Sequence, residues 1–286
     1  MIKKGIIVAG GTGTRLSPLT KAVNKQLLAL YDKPLIFYPL SILMLAGIKN
    51  ILIIVNNGQE KNFFNILGNG KRYGISIKYK VQRKPRGIAD AFILGKNFIK
   101  KDNIALILGD NFFYGQSLTA KLLKAKNYSS GATIFLKTVN NPESFGVAVI
   151  KNSQISYIVE KPKRFVSNQA ITGLYFFDND VVKIANKIKP SKRNELEITD
   201  VLKSYQSIKK LRHEEIGRGA IWSDAGKIED LTSLSNFVHS VEKVQGIKIA
   251  CLDEIAFNQK FINKKQLKSN IKFYGKCDYS NYLKKI

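Results

Sequence analysis

The segment Ala9-Gly10-Gly11-Thr12-Gly13-Thr14-Arg15-Leu16 follows the β-branched run Ile6-Ile7-Val8 and carries the residue types that hold phosphate. Glycines let a backbone approach an anion and turn its N–H groups towards it. Thr12 and Thr14 add hydroxyl donors, and Arg15 adds a planar, bidentate one. Two better-known loops do not fit. A Walker A loop needs GxxxxGK[ST], and no lysine follows these glycines; a GxGxxG read from Gly11 would need glycine where Leu16 stands. Asp110 comes just after the apolar run Ile104 to Leu108, and Asp224 follows Ala220-Ile221-Trp222-Ser223. Remote in sequence, these two carboxylates could meet at one Mg²⁺, a hard cation that takes carboxylates plus substrate oxygens. No Ser–His or Cys–His pairing offers a protein nucleophile.

The elements that must position these groups follow from hydrophobic patterning. Ile6 to Ala9, Ile51 to Val55, Ile104 to Leu108 and Ala132 to Val139 predict strands, and Ile75 to Val81 predicts a half-exposed one. Leu35 to Ala46, Ile88 to Phe98 and Leu118 to Ala125 predict helices between them. Such alternation predicts an α/β fold: a mainly parallel, Rossmann-like sheet with helices on both faces. Ligands in such sheets bind beyond the carboxyl ends of the strands, where Gly10 to Arg15 and Asp110 sit. The second half is more mixed. Val147 to Ile150, Ile155 to Val159 and Ile171 to Phe177 predict strands; Asp180 to Ile188, Ile198 to Tyr205 and Leu231 to Val244 predict helices. With no repeat and no low-complexity linker, one domain over 1–286 is expected. Its catalytic core spans roughly 1–240, and 241–286 forms a C-terminal helical extension.

Composition narrows the function. The chain has 286 residues, of which 44% are hydrophobic, so it can bury a core without disulfide or zinc. Two cysteines, two histidines and no CxxC pair leave no zinc site to assemble. The run Gly5 to Ala9 is too short for a signal peptide, and Pro34 to Ile48 is too short for a membrane span, so a cytoplasmic protein is expected. The net charge of +26 suits an anionic partner, although lysines are spread along the chain in a Lys-, Asn- and Ile-rich composition. No RNP-type aromatic motif, recognition helix or dense basic block points to nucleic acid.

The ordered set Gly10-Gly11-Thr12-Gly13-Thr14-Arg15-Leu16, Pro18-Leu19-Thr20, Lys25-Gln26-Leu27-Leu28, Tyr31-Asp32-Lys33-Pro34, Leu108-Gly109-Asp110-Asn111, Val159-Glu160-Lys161-Pro162, Thr172-Gly173-Leu174-Tyr175, Glu195 to Asp200 and Trp222-Ser223-Asp224 resembles the sugar-1-phosphate nucleotidylyltransferases, most closely the glucose-1-phosphate thymidylyltransferases. The resemblance implies Mg-dependent transfer from dTTP to glucose-1-phosphate, giving dTDP-glucose and pyrophosphate for dTDP-rhamnose synthesis, by a homotetramer. It assigns the metal to Asp110 and Asp224 and catalysis to Arg15, Lys25 and Lys161. The nucleotide is assigned to Gly10, Gly11, Thr12, Gly13, Thr14, Gln82, Pro85 and Gly87. The sugar phosphate is assigned to Gly146, Glu160, Lys161, Ile171, Thr172, Tyr175 and Arg193. Arg86 and Asp90 stand where family members usually carry an acid and a glutamine, Ala29 replaces a proline, Ser223 and Ala225 flank Asp224, and Ala148-Val149 lacks a glutamate. Base choice is therefore the open point. Uridylyl or cytidylyl transfer, and a non-catalytic sugar-nucleotide binder, stand as alternatives.

Overall fold

The computed structural model describes residues 1–11 and 13–286. Among them, nine strands form one sheet: β1 (Lys4–Ala9), β2 (Asn50–Asn56), β3 (Ser76–Gln82), β4 (Ile104–Leu108), β5 (Ala132–Thr138), β6 (Gly146–Lys151), β7 (Gln154–Glu160), β8 (Gln169–Phe177) and β9 (Leu211–Glu215). β3, β2, β1 and β4 lie side by side and parallel; the apolar runs of β1, β2 and β4 are buried on both faces, as inner parallel strands require, while the edge strand β3 alternates buried and exposed. β8 then reverses direction. It pairs antiparallel with β5 along one edge, while β4 and, at Ala170, β6 share the other. β9 adds in parallel to β5. Its sequence, Leu-Arg-His-Glu-Glu, has no apolar run, so patterning does not reveal it.

The two faces of the sheet make two cores. Ile7, Ile53 and Ile77 pack with the helix Phe37–Leu45 and with Phe63 and Leu67 of the helix Glu60–Leu67. Ile6, Leu52 and Ile54, one residue out of phase, pack with Phe92, Val181 and Val201 from helices on the other side. The expected helix Ile88 to Phe98 is broken at Gly95 into Asp90–Leu94 and Lys96–Ile99. The C-terminal helices Leu252–Asn258, Lys264–Tyr274 and Asp278–Leu283 send Leu252, Leu267 and Leu283 into the first of these cores. Among the described residues, no helix is long and apolar enough to cross a membrane.

One connection decides the geometry of the cleft. Phe112–Gly115 and Ala220–Ser223 form a separate two-stranded ribbon, with Phe112 opposite Ser223. Pairing over this sequence distance sets Asp110, just before one strand, near Asp224, just after the other.

Candidate active site

At the carboxyl ends of the parallel strands lies a cleft with two lobes that share Gly10 and Gly11 as a wall. The larger lobe encloses about 300 Å³ and the smaller about 190 Å³. The cradle is held from β2: Asn56 Oδ1 accepts from Gly11 N at 3.0 Å, and Asn56 Nδ2 donates to Gly11 O at 2.7 Å. Gly13, Thr14 and Arg15 line the smaller lobe with Lys25 and Asp110. Thr12 lies outside the described residues.

Lys25 ties the two acid-bearing segments together. Buried on a short 3-10 turn capped by Asn24, it donates from Nζ to Asp110 Oδ2 at 2.7 Å and to the Asp224 carbonyl at 3.1 Å. Asn111 holds the other oxygen of Asp110, donating from Nδ2 to Oδ1 at 3.0 Å. The orientation of that amide is fixed, because Asn111 Oδ1 accepts from Trp222 Nε1 at 2.7 Å and from Gly173 N at 3.0 Å. Burial pushes the Asp224 carboxyl above its ordinary value, and the Asp110 charge pushes it further, against the pull of Lys25 and Arg15. Two carboxylates that repel across a cleft favour a cation between them.

The donor set fits Mg²⁺. Among the described residues no third His, Cys, Asp or Glu joins a metal-holding group. Two carboxylates completed by substrate phosphate oxygens suit this ion. Gln26 Oε1 is buried, lacks a hydrogen-bond partner among the described residues, and belongs to a residue lining the same lobe as Asp110. This free oxygen adds to the carboxylate oxygens of a lobe that Arg15 and Lys25 also line. Sequence reasoning left Gln26 and Trp222 out of the site; their signal was adjacency to Lys25 and Asp224 within the quoted motifs.

Glu160, Lys161, Gly146, Ile171, Tyr175 and Arg193 line the larger lobe together with Asp224. Lys161 holds a left-handed backbone, φ 43°, just after β7, and its N–H donates to Phe145 O at 3.1 Å. Burial, then the charge of Glu197, raise the Glu160 carboxyl above its ordinary value, while Arg193 and Lys161 oppose the shift. Arg193 departs from the expected phosphate contact. Its Nη2 is 3.0 Å from Glu160, 2.9 Å from Glu197 and 3.7 Å from Glu195, so a phosphate has to compete with three carboxylates. Thr172 also differs: Ile171, Gly173 and Tyr175 line the lobe, while Thr172, between them on β8, is fully buried and outside the lining. Strand alternation sends successive side chains to opposite faces.

Gln82, Pro85 and Gly87 line the same lobe. Gly87 is also required by the packing of its own backbone. Its φ is +98°, and a Cβ there would lie 2.4 Å from Leu196 O.

Residues 4–241 match the family model described as nucleotidyl transferase. This chain belongs to the nucleotidyl transferase family. A protein of Neisseria meningitidis serogroup A named glucose-1-phosphate thymidylyltransferase is 47% identical over 284 residues, 99% of each chain. One of the same name from Mycobacterium tuberculosis is 42% identical over 281 residues, 98% of this chain and 97% of that one. A solved UDP-glucose pyrophosphorylase complexed with UDP-glucose shares the fold, with a TM-score of 0.73 at 26% identity, covering 84% of this chain and 99% of that one. As a nucleotidyl transferase, the chain sets its glycine turn and both acids at the sheet edge, where nucleotide ligands bind in open α/β folds.

Proposed function

We propose that this nucleotidyl transferase is a glucose-1-phosphate thymidylyltransferase, making dTDP-glucose and pyrophosphate from dTTP and glucose-1-phosphate. A phosphate oxygen of the sugar phosphate bonds to the α-phosphorus of dTTP; the bond from that phosphorus to the bridging oxygen breaks, and its electrons leave with pyrophosphate. Both reactants are anions, so alignment and charge neutralisation carry the catalysis.

The observation that carries this reading is the meeting of Asp110, Asp224 and Lys25 at a glycine-floored cleft whose other lobe holds Glu160 and Lys161. Asp110 and Asp224 would hold Mg²⁺, which when bound would supply Lewis-acid neutralisation of the phosphate oxygens. Arg15 and Lys25 steady the leaving pyrophosphate. Lys161 aligns the sugar phosphate, and Glu160, anchored by Arg193, accepts from sugar hydroxyls. The identity of the named relatives over nearly the whole chain supports this choice of substrates. Uracil differs from thymine by one methyl, worth about 1–3 kcal/mol in a pocket, so UTP is used measurably but less well.

Pyrophosphate release from dTTP, UTP, CTP, GTP and ATP with glucose-1-phosphate, with and without Mg²⁺, tests the reading. Mg-dependent turnover strongest with dTTP is expected. Absence of pyrophosphate release, or preference for CTP or GTP, would overturn it.

A further inference from the structure

Gln82 closes β3 at the edge of the cleft and is 6% exposed. Its carboxamide is held between two elements. Nε2 donates to Asp90 Oδ2 at 3.1 Å. Oε1 lies on the Gly10 side, so near that a Cβ on Gly10 would sit 2.6 Å from it. Asp90 heads the helix Asp90–Leu94 and is 3% exposed, and its second oxygen is 3.9 Å from Arg86 Nη1.

This arrangement fixes which way the amide faces. A carboxylate only accepts hydrogen bonds, and an amide oxygen cannot donate. Turning the Gln82 amide over would set Oε1 against Asp90 Oδ2, two acceptors in a buried place with no proton between them, which is a costly arrangement. An unrestrained glutamine reads two pyrimidine edges equally well. In one orientation it meets the imide edge of thymine or uracil, a carbonyl beside an N–H. After a half-turn it meets the cytosine edge, an amino group beside a bare ring nitrogen. With one Nε2 hydrogen committed to Asp90, the acceptor and the remaining donor of Gln82 keep a fixed order.

We propose that Asp90 is a positioning residue for base selection: by locking the Gln82 carboxamide it admits one pyrimidine edge and rejects its mirror image. This rests on reading the cleft as a thymidine nucleotide site, which makes the admitted edge the imide. Asp90 is outside the cavity lining and acts through Gln82.

The test is nucleotide binding by titration calorimetry with dTTP, dUTP and dCTP, identical but for the base, on the wild type, Asp90→Asn and Asp90→Ser. Asparagine is isosteric and can meet either face of the Gln82 amide; serine removes the carboxylate if the first variant folds poorly. In both variants the preference for dTTP over dCTP falls by about tenfold or more, as expected when a buried acceptor clash is no longer enforced. The dTTP:dUTP ratio, which reads the methyl group, stays unchanged. A merely structural role would weaken all three nucleotides alike. An unchanged dTTP:dCTP ratio in the variants, or a wild type that binds dCTP as tightly as dTTP, overturns the proposal. Binding reports on the lock without turnover. A wild type that selects dTTP through Asp90 yet releases no pyrophosphate with glucose-1-phosphate would refute the transfer reaction and leave the lock standing.

Discussion

Lys25→Met removes the ammonium that touches both acid-bearing segments while keeping much of the apolar stem. In the wild type, Nζ stands 2.7 Å from Asp110 Oδ2 and 3.1 Å from the Asp224 carbonyl, on a side chain only 8% exposed. Breaking a fully buried ion pair costs about 3–5 kcal/mol. The Asp110 side chain is 25% exposed, so water recovers part of that loss, and about 2 kcal/mol is the expected destabilisation. For a chain of this size that is a fall in Tm of about 4 °C. Turnover falls by roughly two to three orders of magnitude, the effect of losing one donor aimed at developing charge. Scanning calorimetry with and without Mg²⁺ adds an internal control. In the variant the cation no longer competes with Nζ for Asp110, so Mg²⁺ raises its Tm more than that of the wild type. A variant that turns over like the wild type would refute the bridging role.

Lys161→Ala lowers the single-turnover rate by about two to three orders of magnitude and leaves Tm close to the wild-type value, because the residue is exposed. Quench-flow kinetics separate this from slower product release. Iodoacetamide labels Cys277 and spares Cys251 in the folded protein, as read by mass spectrometry. The hydrogen bond from the Ser280 backbone N–H lowers the pKa of the exposed Cys277 thiol, whereas burial pushes the Cys251 thiol up to about 12. Burial raises the Asp253 carboxyl above its ordinary value, although Tyr279, Tyr274 and Asn270 donate to it. Between the ordinary and the raised value the folded chain binds a proton that the unfolded chain has lost. The stability of the wild type relative to Asp253→Asn therefore falls as pH rises through that window, by at most about 1.4 kcal/mol per pH unit for one proton. Paired urea titrations across pH measure this slope.

What was legible in the sequence was local. β-branched runs marked the parallel strands, and the glycine turn after the first of them marked the cradle, since both depend on neighbouring residues. The pairing of Phe112–Gly115 with Ala220–Ser223 was not legible, because a long-range ladder leaves no local period, yet it gathers the two acids. Arg193 was expected to face phosphate, but three nearby carboxylates engage it, and side-chain competition of that kind emerges only after folding. At Gly87 the structure adds a constraint that a single glycine in a sequence does not reveal, the close main chain of Leu196.

The proposed reaction needs Asp110 and Asp224 together to hold one divalent cation. Mn²⁺, a paramagnetic substitute for Mg²⁺, can be titrated into the protein in the presence of dTTP and followed by electron paramagnetic resonance. The wild type is expected to hold one tightly bound Mn²⁺ per chain, with that site lost in both Asp110→Asn and Asp224→Asn. A full, equally tight site in either variant would contradict the account.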